Sequence, residues 1–249
     1  MPVIGVPYHL DEFLTEPDFA LRPDEIVTAE FSAGDMWARL APLYSAVADA
    51  VAAGAGETPP VVVSGDCLTA LGTVTGLQRA GTDPAIVWFD AHGDVQTPET
   101  TTSGYLAGMS LRMLTGHRPE LIAEPLGLRP VPEERMVLTG SRDLDPPEAD
   151  YLHKARIRRY EVADLTVAGL PDGPLYVHVD LDVVTPSDLP GLRFPAPGGP
   201  SADQLAGALQ LLLATGRVAA VGLACSWLPG HGAAATIGPR LAAVLGVRQ

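Results

Sequence analysis

The sequence predicts an α/β fold on a mostly parallel sheet, and three observations carry that prediction. Residues 86–89 are a continuous apolar run, the pattern of a strand buried on both faces of a parallel sheet, and residues 175–179 read as a second buried strand. Each run ends abruptly in acids, Asp90-Ala91-His92-Gly93-Asp94 in one case and Asp180-Leu181-Asp182 in the other. Around them, further short β-like runs alternate with stretches whose apolar residues recur at helical spacing.

In chain order, residues 1–7 read as a first strand, since they lack the basic region and cleavage pattern of an export signal. Residues 9–34 are acidic and weakly patterned, and the expectation is a loop crossing the sheet edge with a short helical piece near Pro23-Asp24-Glu25-Ile26. Residues 37–53 carry apolar side chains at helical spacing and predict a helix on the sheet, ended by Gly54-Ala55-Gly56 and Thr58-Pro59-Pro60. Residues 61–63 are a strand, Ser64-Gly65-Asp66-Cys67 a turn, and residues 68–79 a helix. Residues 134–140 form a strand, residues 147–155 a helix with proline in its first turn, and residues 156–160 a short strand. Ser201 opens a helix that runs to residue 213, residues 217–223 form another strand, and residues 233–245 close with a helix. Length and the absence of repeats or low-complexity tracts fit one domain over residues 1–249.

Composition narrows the partners. The net charge of −14 argues against nucleic acid and anionic membrane surfaces, and no apolar run approaches the ~20 residues a bilayer span needs. Cys67 and Cys225 are the only cysteines, which provides no disulfide framework and agrees with a reducing, cytoplasmic setting.

The acid clusters carry the chemistry. In open α/β sheets ligands bind at the carboxyl ends of strands, and Asp90, His92 and Asp94 leave one strand end in alternation. A carboxylate-rich set with one imidazole suits a cation of the magnesium, manganese or iron type better than a structural zinc. Either cluster alone could be a solvated strand end. Two clusters over neighbouring strands could hold two cations in one bridged site and activate a water between them. His178 precedes Asp180 by two residues, shares its face of the strand, and is either a hydrogen-bonding support for a ligand or a satisfied core histidine.

Asp90-Ala91-His92-Gly93-Asp94, the run Thr100-Thr101-Thr102-Ser103-Gly104, Gly140-Ser141-Arg142-Asp143-Leu144-Asp145, Asp180-Leu181-Asp182 with Pro186, and Pro197-Gly198-Gly199 together resemble the arginase/agmatinase (ureohydrolase) family. The resemblance spans roughly residues 60 to 230. It implies a three-layer α/β/α fold and a pair of manganese ions bridged by hydroxide. By position it implies Cys67, Asp90, Asp94 and Asp180 on the first metal and Asp90, His92, Asp180 and Asp182 on the second, with Asp94 passing a proton to the departing amine. It also implies a small-molecule guanidino substrate and a homo-oligomer, trimer or hexamer.

The family carries a histidine ligand where Cys67 stands. A thiolate is softer than imidazole and would tune the first site toward zinc or iron, while the plainer reading of Cys67 is a small buried side chain. Ala107 occupies the position of a proton-shuttling histidine, and Trp227 is taken to occupy the position of a glutamate that pairs with the guanidinium; Thr185 replaces an acid before Pro186. Asp145 stands where arginases contact an α-amino group, and Ser103 and Gln96 stand near the carboxylate-holding positions. This combination is similar to the Nω-hydroxy-L-arginine amidinohydrolases, whose less basic substrate needs the missing carboxylate less. Two classes follow: a metal-dependent hydrolase of linear amidine C–N bonds, or a non-catalytic metal- or ligand-binding relative. The five acid and imidazole ligands favour the first, and Ala107 and Trp227 the second.

Overall fold

A computed structural model describes residues 1–248 except Glu16, Ser32 and Glu57. The described residues contain ten strands: β1 (Val3–Val6), β2 (Tyr8–His9), β3 (Glu12–Phe13), β4 (Glu25–Ile26), β5 (Val61–Ser64), β6 (Ala85–Phe89), β7 (Met136–Thr139), β8 (Arg158–Tyr160), β9 (Leu175–Asp180) and β10 (Val218–Ala224). Eight of them form one sheet in the order β4-β1-β5-β10-β9-β6-β7-β8, and every pairing in it is parallel. β2 and β3 make a separate antiparallel hairpin.

The helices α1 (Met36–Gly54), α2 (Ala70–Arg79), α3 (Ser110–Leu114), α4 (Ala123–Leu126), α5 (Pro146–Lys154), α6 (Ala202–Leu213) and α7 (Ala233–Leu245) cover both faces. Strand periodicity divides the core between them. Ile4, Val62, Ile86, Trp88 and Leu138 pack with α1 and α2, while Val3, Val61, Val87, Val137 and Leu223 pack with α6 and α7. Burial on both faces explains why these strands read as unbroken apolar runs. The result is the three-layer α/β/α architecture that the resemblance implies.

α1 is capped by Asp35, whose Oδ1 accepts from Ala38 N at 2.9 Å. Pro42 and Ala38 are both exposed, so water can take the Ala38 carbonyl that the proline leaves unpaired. α2 lies close against α1: a Cβ on Gly72 or Gly76 would come within 2.7 Å of Tyr44 O or 2.6 Å of Ala48 O. α6 begins with a reciprocal cap, Gln204 N to Ser201 Oγ at 3.1 Å and Ser201 N to Gln204 Oε1 at 2.8 Å.

One expected element is wrong. The piece around residues 23–26 is the edge strand β4, not a helix, because Asp24 accepts from Val3 N through Oδ2 at 2.9 Å and Val27 N donates to Gly5 O at 2.8 Å. These bonds lay the segment extended along β1. Among the described residues, no helix is long and apolar enough to cross a membrane.

Candidate active site

β5, β10, β9 and β6 are consecutive in the sheet, and their carboxyl ends converge. The turn after β5 delivers Cys67, β9 ends in Asp180 and is followed by Asp182, the segment after β6 delivers Asp90, His92 and Asp94, and Ser226 follows β10. Asp94 has a left-handed backbone (φ 53°), rare for a residue other than glycine and tolerated by Asp because its short polar side chain bonds locally. Gly93 beside it leaves room that a Cβ would take from Glu148 Oε1 at 2.8 Å.

Two groups of side chains could each hold a metal ion: Cys67, Asp90 and Asp180 in one, Asp90, His92 and Asp182 in the other, with the ligating atoms of each group within 4.8 Å of one another. Asp90 belongs to both. Asp180 falls in the first of these tight groups. Asp94 lies outside both tight groups, yet its buried Oδ2 has no hydrogen-bond partner and it lines the same cavity. A buried carboxylate oxygen without a partner beside five further donors is the arrangement a divalent metal would satisfy, so the donor set fits one.

The local bonds hold these groups in place. Cys67 Sγ donates to Asp180 Oδ2 at 2.9 Å, and Ser226 Oγ donates to the same oxygen at 2.8 Å. Asp90 Oδ1 accepts from His92 N at 2.7 Å, and Trp88 Nε1 donates to Asp90 Oδ2 at 3.1 Å. His92 Nδ1 lies 3.1 Å from Asp182 Oδ2 and 3.4 Å from Asp90 Oδ1. Arg142 fastens the rim, donating from its guanidinium to Gly140 O, Val183 O, Ala196 O and Pro197 O at 3.0–3.1 Å.

Packing so many acids together sets their protonation. Burial, and then the charges of Asp90 and Asp180, push Asp94 well above the usual carboxylate range; burial and then Asp182 and Asp90 do the same to Asp180. Burial and the Asp90 charge raise Asp182 to about 6. Burial lowers the affinity of His92 for its proton, but the bonds to Asp182 and Asp90 outweigh it and raise His92 to about 12. Burial and Asp180 also push the Cys67 thiol up. A divalent cation would reverse this pattern by favouring the ionised ligands.

The cavity over these groups, about 380 Å³, is lined also by Gln96, Ser103, Tyr105, Ala107, Asp145, Glu148, Phe194 and Ser226. Gln96 Nε2 donates to Asp145 Oδ2 at 2.9 Å. Ala107 presents no titratable group to the cavity.

Trp227 requires correction. It does not face this cavity: its Nε1 donates to Asp18 O at 2.8 Å, and it lines a second cavity of about 410 Å³ with His9, Glu12, Asp18, Arg193 and Cys225. The side chain that β10 sends to the acid cluster is Ser226. The slip is one residue, and strand periodicity turns one residue into the opposite face. His178 forms no hydrogen bond with an acid of the cluster; Tyr176 OH pairs with its Nδ1 at 3.0 Å, its Nε2 has no partner, and its ring stacks on Trp88 at 3.7 Å. Its link to Asp90 runs through that indole.

Sequence reasoning missed Glu148, Ser226, Trp88 and Tyr105. Glu148 had a signal, since the spacing Asp145-x-x-Glu148 at a helix start is a capping box, and Glu148 Oε2 indeed accepts from Asp145 N at 3.1 Å.

Fold and site define a three-layer α/β protein with a buried carboxylate cluster, suited to divalent cations, at the carboxyl ends of its central strands. The model of the arginase family matches residues 13–225, and the chain belongs to that family. Over 168 residues it is 32% identical to an arginase of Staphylococcus aureus, covering 61% of this chain and 55% of that protein. Over 139 residues it is 35% identical to the N(omega)-hydroxy-L-arginine amidinohydrolase of Streptomyces lavendulae, covering 54% of this chain and 49% of that protein. The chain thus spans about half the length of the curated relatives it matches. In fold it is similar to the arginase of Bacillus caldovelox, with a TM-score of 0.81 at 23% identity over 100% of this chain and 98% of that one.

Proposed function

We propose that this chain is a metal-dependent hydrolase of linear amidine C–N bonds in a guanidino or N-hydroxyguanidino, amino-acid-like substrate. The observation that carries the reading is the pair of donor groups sharing Asp90, set beside the unpartnered Asp94 carboxylate in one cavity. Cys67, Asp90, Asp94 and Asp180 would hold one cation and Asp90, His92, Asp180 and Asp182 a second, manganese in the first instance, with zinc or iron suited to the thiol side. Bound there, divalent cations supply Lewis acidity and bring the ionisation of water near neutral pH.

The chain's own groups supply the rest. Asp94 lines the cavity, its buried Oδ2 has no hydrogen-bond partner, and it is suited to hold a proton and release it to the departing amine. Asp145, Glu148, Gln96 and Ser103 line the same cavity and offer acids to an ammonium group and neutral donors to a carboxylate. Ser226 presents a neutral hydroxyl near the reacting end, so the site demands less positive charge there than a carboxylate would. That favours a hydroxylated, less basic guanidine.

A substrate panel tests the reading: manganese-loaded protein with arginine, N-hydroxyarginine, agmatine and guanidino acids, scored for urea or hydroxyurea and the amine. Product from one of them, lost in Asp94→Asn, is expected. No product from any, with metal bound, would favour a second reading that Ala107 supports, a family member that binds without turning over.

A further inference from the structure

Hydrolysis of an amidine C–N bond forms one C–O bond, breaks one C–N bond and moves both protons of the attacking water to the departing nitrogen. The protons move in succession, and a second holding place allows the second to be stored before the first is delivered. Asp94 Oδ2 is one holding place. Around it, His92 is engaged with Asp90 and Asp182, Glu148 accepts from the backbone nitrogens of Val95 and Asp145, Asp145 accepts from Gln96, and Ala107 cannot titrate.

Tyr105, however, lines the cavity and leads out of it. Its hydroxyl lies 3.3 Å from His9 Nε2, and the two rings stack at 5.7 Å with 21° between their planes. His9 Nδ1 lies 3.0 Å from Gly65 O, a carbonyl that can only accept, so Nδ1 carries the hydrogen of the neutral ring and Nε2 is the free base. Tyr105 must therefore donate to it. His9 also lines the second cavity, so one imidazole touches the phenol from the metal side and the space beyond it.

We propose that Tyr105 and His9 form a proton relay between the two cavities, holding the second proton of each turnover. The proton leaves the metal-side cavity through the Tyr105 hydroxyl as that hydroxyl passes its own hydrogen to His9 Nε2, and the return step reverses both transfers, so the pair ends each cycle as it began. Tyr105 is never required to ionise, and burial in any case pushes its phenol up. The groups facing His9 are the Asp66 carboxylate, which accepts from Leu10 N at 2.6 Å, Glu12 across the hairpin, and Asp18, Arg193 and Cys225 around the second cavity. The relay rests on the hydrolase reading.

The test compares wild type with His9→Gln, which keeps an acceptor for Tyr105 but cannot titrate, and with His9→Ala and Tyr105→Phe. Expected are losses in kcat on the order of 10²-fold, the lower range for a positioned acid or base. KM is expected to hold within about twofold, and the shape of the wild-type pH–rate profile should change in both His9 variants. Imidazole should restore part of the His9→Ala activity through the second cavity. Independently of turnover, nitrogen NMR of the metal-free protein should show His9 as the Nδ1–H tautomer and a shifted Nε2 resonance in Tyr105→Phe. Turnover by wild type with an unmoved pH profile in His9→Gln, or an Nε2–H tautomer, overturns the relay alone. Absence of turnover by wild type on every amidine overturns the hydrolase reading and the relay together.

Discussion

Ser226 Oγ and Cys67 Sγ converge on the same atom, Asp180 Oδ2, at 2.8 and 2.9 Å. Two neutral donors thereby hold the acid at the end of β9, and no charge from β10 enters the cavity. Replacing Ser226 by alanine strips one donor from a fully buried carboxylate and is expected to cost about 1–3 kcal/mol, read as a lowered Tm of the metal-free protein. Ser226→Glu puts an anion at the reacting end. The expected outcome is a rise in kcat/KM for arginine relative to N-hydroxyarginine, measured by competing the two substrates; an unchanged ratio would remove Ser226 from the account of specificity.

The buried His178 sets an acid limit on stability. Burial lowers it to about 3, against about 6.5 in an unfolded chain. The folded state therefore binds fewer protons than the unfolded state between those values. The stability this neutral ring permits is present above about pH 6.5 and is lost as pH falls toward 3. Denaturant melts from pH 7 to 4 should steepen accordingly in wild type, and His178→Phe should flatten the part of the slope that histidine contributes.

Arg142 ties the loop after Asp182 to the loop after β7 through carbonyls of Gly140, Val183, Ala196 and Pro197. Each is a charge-assisted bond, and their non-additive loss in Arg142→Ala is expected to cost about 2–4 kcal/mol. Lysine keeps the charge but not the planar fork, so Arg142→Lys should recover only a minor share. Chemical denaturation of the three proteins decides it.

Much of this architecture was legible because burial writes itself into sequence. Residues 61–63, 86–89 and 175–179 read as strands since both faces of each are covered, and the acids at their ends announced the site. β4 was illegible for the opposite reason: Glu25 and Ile26 are both exposed, and bonds to β1, from the backbone and from the Asp24 carboxylate, hold the segment extended. Trp227 was misplaced because an apolar strand end carries no mark of which residue turns inward. The pairing of His9 with Tyr105 joins residues 96 positions apart, neither of which stands in a pattern.

Metal titration tests the central claim, that the acids after β6 and β9 with Cys67 form one two-cation centre. Burial and mutual charge hold Asp94, Asp180 and the Cys67 thiol protonated above their ordinary ranges, so cation binding must expel protons and tighten as pH rises. Calorimetric titration of manganese into metal-free protein, in buffers of different ionisation enthalpy, reads stoichiometry and proton release together. The account predicts two ions per chain, net proton release, and a halved stoichiometry in Asp182→Asn. Saturation without proton release, or no saturable binding at neutral pH, would contradict it.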